Sequence, residues 1–237
     1  MPLHSVQHLS PTTVLGLWHL TEAPEALWPL LPPPYRELIP PTAGLVRQGH
    51  WLSVRALAHA LATQLLGPAA DVIVRNDADG RPWLADAPAG VGVSLSHSGE
   101  WAAALLSTEG RVGIDIEIVR DKARRLAPMF LSDEEAAHAA AQAEASSSQR
   151  YSLLWSAKET LYKLAAQSGI IFKEQLLITD ATIAPPRPHS LPMPLQLNAI
   201  LSLNDQNTRH CICYSEPAPG YVLTYCHDAG PPVAAVS

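Results

Sequence analysis

The stretch Val112-Gly113-Ile114-Asp115-Ile116-Glu117 decides how this chain is read. Apolar and acidic residues alternate across it, the period of a strand with one face in a core. Asp115 and Glu117 stand two apart and project from one face, while Ile114, Ile116 and Ile118 point the other way into packing. Two neighbouring carboxylates repel and titrate upward unless something positive sits between them. An oxygen-only site of this kind suits a hard cation, most often Mg²⁺ that keeps several waters and shares its other positions with substrate phosphate. A half-exposed strand whose acids face water has the same pattern, so residues further along must separate the two.

Outward from that strand, 237 residues give ample length for a buried core, in one large domain or two small ones. Hydrophobic content of 47 % with 16 % charged residues excludes a disordered chain. A net charge of −6 argues against a nucleic-acid-binding surface, so an acidic partner would have to meet a local basic patch. The three cysteines, Cys211, Cys213 and Cys226, are too few for a disulfide framework, and reduced thiols in the cytoplasm fit best. No second Cys or His pair stands at zinc spacing beside Cys211 and Cys213. The first twenty residues lack the basic start and apolar run of a signal peptide, and no segment is long enough to span a bilayer.

Before the acidic strand, residues 14–20 read as a strand and 23–31 as a short helix ended by Pro32-Pro33-Pro34. His4 and His8 have helical metal spacing but lie in a ragged terminus. Val54, Leu57, Ala58, Leu61 and Leu65 mark an amphipathic helix over 45–66, closed by Gly67-Pro68. Arg47 and Arg55 lie about two turns apart on it, share a side, and could hold phosphate or simply form a solvated face. Short strands follow at 71–75, 91–96 and 101–107, an antiparallel meander behind one long helix. After Glu117 the chain turns basic through Arg120, Lys122, Arg124 and Arg125. Ser132 and Glu135 then form a capping box for an Ala-rich helix. Ser146–Ser148 break that helix, a second runs over about 149–167, and strands follow at 176–183, 195–203, 209–214 and 221–226. The expected fold is α+β, two pseudo-symmetric halves, each a long helix on a small antiparallel sheet. The halves are residues 1–111 and 112–229, with 230–237 a flexible tail.

Two further stretches bear on chemistry. In Trp155-Ser156-Ala157-Lys158-Glu159-Thr160-Leu161-Tyr162-Lys163, Glu159 and Lys163 stack on one helix face one turn apart. Beside the strand carboxylates, Glu159 offers a third oxygen to a cation and Lys163 a positive charge for phosphate, a kit suited to chemistry at a pyrophosphate. In Val93-Ser94-Leu95-Ser96-His97-Ser98, Ser96 and His97 face opposite sides of a strand, so His97 cannot serve Ser96 as a base. A hydroxyl and an imidazole at a strand end can instead grip a phosphate.

Five blocks in order carry a resemblance: Gly80-Arg81-Pro82, Ser94 to Ser98, Val112 to Glu117, Phe130-Leu131-Ser132-Asp133-Glu134-Glu135, and Trp155 to Lys163. Together, across about 45–183, the chain resembles the 4′-phosphopantetheinyl transferase superfamily, in its larger, surfactin-synthetase-activating type. The resemblance implies Mg²⁺-dependent transfer of the phosphopantetheine arm of coenzyme A, with Mn²⁺ as the alternative metal. The acceptor is a serine of an acidic apo acyl or peptidyl carrier protein, and adenosine 3′,5′-bisphosphate is released. It implies that Asp115, Glu117 and Glu159 hold the metal, that Glu159 deprotonates the serine, and that Lys163 neutralises the phosphate. Ser96 and His97 match the grip on the 3′-phosphate, Arg81 the contact near adenine, and Lys158 a basic position beside coenzyme A. Arg47 is the nearest match to the basic residues of the N-terminal half. The larger type joins two related halves as a monomer, with one site at their junction.

The likeness has gaps. The family's Gly-x-Gly after the final lysine is here Ala165-Ala166-Gln167-Ser168-Gly169, with a single glycine. Arg124 and Arg125 follow the metal strand, where the family docks its partner, and are expected to meet the acidic carrier, a solvated face being the other reading of the same residues. Two other readings use the same residues: a Mg²⁺-dependent phosphodiesterase or pyrophosphatase with water as nucleophile, and a non-catalytic coenzyme A-binding protein.

Overall fold

The apolar runs and alternations become strands and helices in a computed structural model that describes residues 3–40, 42–68, 72–142, 146–180, 183–188 and 194–228. Strands β1 (Leu3–Ser10) and β2 (Thr13–His19) lead through a 3-10 helix, Pro24–Leu30, to helices α1 (Tyr35–Leu38) and α2 (Leu45–Leu66). Strands β3 (Ile73–Asn76), β4 (Pro82–Ala85), β5 (Gly92–Ser98), β6 (Trp101–Ser107) and β7 (Arg111–Ile118) come next. Helices α3 (Asp121–Phe130), α4 (Asp133–Ala141), α5 (Ser147–Ala165) and α6 (Phe172–Gln175) follow. Strands β8 (Leu176–Ile178), β9 (Leu195–Leu203), β10 (Gln206–Ser215) and β11 (Tyr221–Asp228) complete the chain order. Helices accompany antiparallel sheets, the expected α+β class. No helix among the described residues is long and apolar enough to cross a membrane.

The chain divides into two compact units, one running to Val112 and resuming at His227, the other Gly113–Cys226. In the first, β1-β2-β6-β5 form a four-stranded sheet. Helix α2 packs on it through Leu52, Leu57, Ala58 and Leu61, none of which has any exposed surface. Gly16 of β2 permits the close approach, since a Cβ there would stand 2.7 Å from Leu57 Cδ1. Two contacts hold the end of the described chain: His227 Nε2 to Glu109 O at 2.7 Å, and Arg111 Nη2 to Asp228 Oδ2 at 2.7 Å.

In the second unit the sheet order is β7-β11-β10-β9-β8. Leu153, Leu154, Ala157, Leu161 and Leu164 recur along α5 at helical spacing and bury against Ile212 and Val222. Buried hydroxyls fix the same helix to β11: Thr160 Oγ1 and Ser156 Oγ lie 2.7 Å and 2.9 Å from Thr224 Oγ1. Gly113 of β7 lies against α5, where a Cβ would collide with the carbonyl oxygen of Thr160.

Several local expectations change. The ragged N-terminus is strand β1, so His4 and His8 do not have helical spacing. The basic run after Glu117 opens helix α3, which the interior Pro128 disguises in the sequence. The serines expected to break a helix begin one instead, because Ser146 Oγ accepts from Gln149 N at 3.2 Å. The expected capping box is present, with Ser132 Oγ accepting from Glu135 N and Glu135 Oε2 accepting from Ser132 N. The strand expected over 176–183 is β8 alone, Leu176–Ile178. Asp71, residues 181–182, part of the Pro-rich linker and the tail 230–237 lie outside the described residues.

Candidate active site

The β7–α5 approach at Gly113 brings the acidic strand against the helix of the second motif. Lys163 Nζ donates to Asp115 Oδ1 at 2.8 Å and to Ile114 O at 2.9 Å. Trp155 Nε1 donates to Glu117 Oε1 at 3.1 Å. Trp155, Glu159 and Lys163 follow one another at four-residue steps, a single stripe down α5. Trp155 was not expected among the site residues, although that spacing could have singled it out. Asp115 is only 4 % exposed, so β7 is buried on both faces here rather than half-solvated.

Electrostatics joins the fourth group to these. Glu159 is pushed up from 4.5 to about 7, first by burial and next by the charge of Asp115. Lys163 opposes the rise, and Glu117 adds to it. Asp115, Glu117 and Lys163 thus all act on the Glu159 carboxyl through their charges, and contacts join Lys163 to Asp115 and Trp155 to Glu117. An all-oxygen donor set with unbalanced negative charge suits a hard divalent cation by its chemistry. Asp115 and Glu117 are engaged by Lys163 and Trp155, and no group of three or more His, Cys, Asp or Glu among the described residues is arranged to hold a metal.

Lys158 corrects the sequence reading. It was expected beside coenzyme A, but it is fully buried. Its Nζ donates to Glu135 Oε2 at 2.6 Å, Phe130 O at 2.7 Å and Phe172 O at 3.2 Å. An ammonium has three N–H donors, and these three partners use them all. Burial lowers the Lys158 pKa, and Glu135 opposes that.

In the first unit, Ser96 is buried on β5 and His97 beside it is exposed, in keeping with their opposite faces. The His97 ring stacks on His50 of α2 at 4.4 Å, and His50 Nε2 meets Gly99 O at 2.8 Å. Nothing in the sequence marks His50, whose pairing with His97 arises only in the fold. Arg81 lies in the turn between β3 and β4 and bonds Asp79 Oδ2 at 2.9 Å. Arg47 is exposed in the first turn of α2. Arg55 does not share its setting: it is 6 % exposed, bonds Asn76 Oδ1 at 2.7 Å, and lies 3.8 Å over the Trp51 ring. Position 55 faces the core side of α2, and burial pushes the Arg55 pKa down to about 10.

Arg124 and Arg125 project from α3 and reach Asp121 at 2.7 Å and 3.8 Å, with side chains 53 % and 71 % exposed. Met129, on the same helix, is 74 % exposed. A cavity of about 660 Å³ lies beside them, lined by Arg124, Ala127, Ala136, Ala140 and Tyr151 among others.

Comparison with known proteins agrees with these motifs. The sequence model of the 4′-phosphopantetheinyl transferase superfamily matches residues 111–226, the span of β7, α5 and the second sheet. The 4′-phosphopantetheinyl transferase AcpT of Salmonella typhimurium is 34 % identical over 143 residues, 58 % of this chain and 67 % of its own. AcpT of Escherichia coli K12 is 35 % identical over 155 residues, 64 % of this chain and 72 % of its own. With the acidic strand and the Trp-to-Lys helix in contact, and relatives of this identity spanning most of their own length, the chain belongs to the 4′-phosphopantetheinyl transferase superfamily and is an enzyme of that kind.

Proposed function

We propose that this enzyme moves the 4′-phosphopantetheine group of coenzyme A onto a serine hydroxyl of an apo acyl or peptidyl carrier protein. The reaction is Mg²⁺-dependent, with Mn²⁺ as the alternative, and releases adenosine 3′,5′-bisphosphate. The observation that carries this is the close contact of β7 with α5, where Lys163 Nζ meets Asp115 Oδ1 at 2.8 Å and Trp155 Nε1 meets Glu117 Oε1 at 3.1 Å. Glu159, acting through a water, is assigned to deprotonate the attacking serine. Lys163, whose ammonium is held 2.8 Å from Asp115 Oδ1, is assigned to neutralise the transferred phosphate. Asp115, Glu117 and Glu159 would hold the divalent cation, which when bound neutralises pyrophosphate charge.

Ser96, His97, Arg81 and Arg47 are assigned to coenzyme A in the same proposal: Ser96 and His97 to the 3′-phosphate, Arg81 near adenine, Arg47 to phosphate. The exposure of His97 and Arg47 supports this, since both can reach a ligand. Arg124 and Arg125 are assigned to docking of an acidic carrier, supported by their exposure on α3. The larger family type, two related halves working as a cytoplasmic monomer, also belongs to the proposal. It is supported by a long helix on an antiparallel sheet in each unit.

Intact-mass spectrometry of an apo carrier incubated with coenzyme A and Mg²⁺ tests the function. Gain of one phosphopantetheine per carrier is expected. Cleavage of coenzyme A without that gain would replace transfer by hydrolysis.

A further inference from the structure

Lys158 precedes Glu159 on α5, yet successive helix residues point about 100° apart, and its ammonium enters the interior. Two of its three acceptors are the backbone carbonyls of Phe130, at the end of α3, and Phe172, at the start of α6. The rings of these same residues flank Trp155. Phe130 meets the indole edge-on at 5.1 Å and 73°, and Phe172 stacks on it at 5.8 Å and 24°. Trp155 stands one helical turn before Lys158, so ammonium and indole are neighbours on α5. The indole N–H in turn holds Glu117 Oε1. Glu135 completes the node. It accepts from Lys158 and Ser132 N through Oε2, and from Ile178 N through Oε1.

We propose that Lys158 is a positioning residue for Glu117: it anchors the two chain segments whose rings clamp Trp155, and so fixes the indole N–H that holds the carboxylate. The inference rests on the functional reading above, in which Glu117 is a metal ligand. A buried ion pair is a poor source of stability, because well-packed apolar side chains of similar volume often stabilise as much or more. What an apolar side chain cannot supply here is two directed bonds to carbonyls in different helices. Groups hydrogen-bonded to a metal ligand, as Trp155 is to Glu117, typically contribute about ten- to a hundredfold to metal affinity.

Lys158→Met alone leaves the Glu135 charge buried without its cation, so the informative protein is Lys158→Met with Glu135→Gln, which has neither charge and keeps one acceptor oxygen, for one of the two backbone N–H groups that Glu135 serves. Free Mn²⁺ is measured by electron paramagnetic resonance in the presence of coenzyme A, with circular dichroism reporting the fold. The double variant is expected to fold and to bind Mn²⁺ about tenfold more weakly. Trp155→Phe is expected to lose a similar factor. Adding it to the double variant should give little further loss, because both act through one contact. A folded double variant with wild-type Mn²⁺ affinity, or losses that multiply in the combination, overturns the inference. A double variant that does not fold overturns it too, by making Lys158 a folding residue. Wild-type protein that transfers phosphopantetheine while the double variant binds Mn²⁺ normally defeats this inference alone. Wild-type protein that neither binds Mn²⁺ nor transfers defeats the functional reading, and this one with it.

Discussion

Lys163 Nζ stands 2.8 Å from Asp115 Oδ1, a contact between the end of α5 and the middle of β7 that gives a nearly buried carboxylate its cation. In the proposed function this ammonium faces the transferred phosphate, where losing one fixed charge costs about a hundredfold or more in turnover. Lys163→Met should therefore lower kcat at least that far, with a much smaller change in the KM for carrier. A kcat within threefold of wild type in steady-state assays would contradict the role.

Glu159 links site chemistry to stability. Its folded pKa lies above its ordinary value, so the native state binds the proton more tightly. Ionisation then costs stability: nothing below about pH 4.5, increasingly up to about pH 7, and fully above it. In metal-free protein, Glu159→Gln should raise the melting temperature at pH 8 relative to wild type and change it little at pH 4. Mg²⁺ should raise the wild-type melting temperature more at pH 8 than at pH 5, since cation and proton compete for the same oxygens. Thermal denaturation across that pH range checks both, and a pH-independent Mg²⁺ effect would count against a carboxylate site.

Gly113 sets the spacing of β7 and α5. A methyl group there meets the carbonyl of Thr160, which buried hydroxyls pin to β11 and which cannot easily yield. Gly113→Ala should destabilise by about 1–3 kcal/mol, the range for overpacking a tight interior, and should lower kcat as Asp115 and Glu159 move apart. An unchanged urea midpoint with full activity would show that β7 tolerates the shift.

Ala166 ends α5 in the left-handed region, with φ 50°. A residue with a Cβ is strained there by about 1–2 kcal/mol, whereas glycine is not. Ala166→Gly should stabilise the protein by about 0.5–1 kcal/mol, once the extra freedom of glycine in the unfolded chain is subtracted. Transfer activity should be kept. Chemical denaturation of the purified variant measures the difference.

Arg124 and Arg125 together should govern the carrier more than coenzyme A. Replacing both by alanine should raise the KM for an acidic carrier several-fold and flatten its salt dependence, with the KM for coenzyme A nearly constant. The reverse pattern would move docking elsewhere.

Much of this architecture could be read in the chain. Helix α2 announces itself by 3.6-residue periodicity and its Gly67-Pro68 stop, and α4 by the Ser132–Glu135 box. The hairpin of β5 and β6 follows from alternation about a short turn. Residues whose role depends on distant partners could not be read this way. Lys158 looks like a ligand-binding cation because its acceptors belong to residues 130, 135 and 172, far along the chain. Arg55 looks like a phosphate binder because periodicity fixes a helix face without saying which charged residue turns inward. β1 has little apolar content of its own and is a strand only because β2 offers it an edge. That Asp115 pairs with Glu117 on one strand face, and Glu159 with Lys163 on one helix face, follows from local geometry alone, which is why these pairs can be picked out in the chain.

The most direct test is the intact mass of an apo carrier after reaction with coenzyme A and Mg²⁺, run side by side with wild type, Glu159→Gln and Asp115→Asn. Wild type should convert the carrier to the form bearing one phosphopantetheine, while both variants leave it unmodified and still bind coenzyme A. Conversion by Glu159→Gln at the wild-type rate would contradict the account.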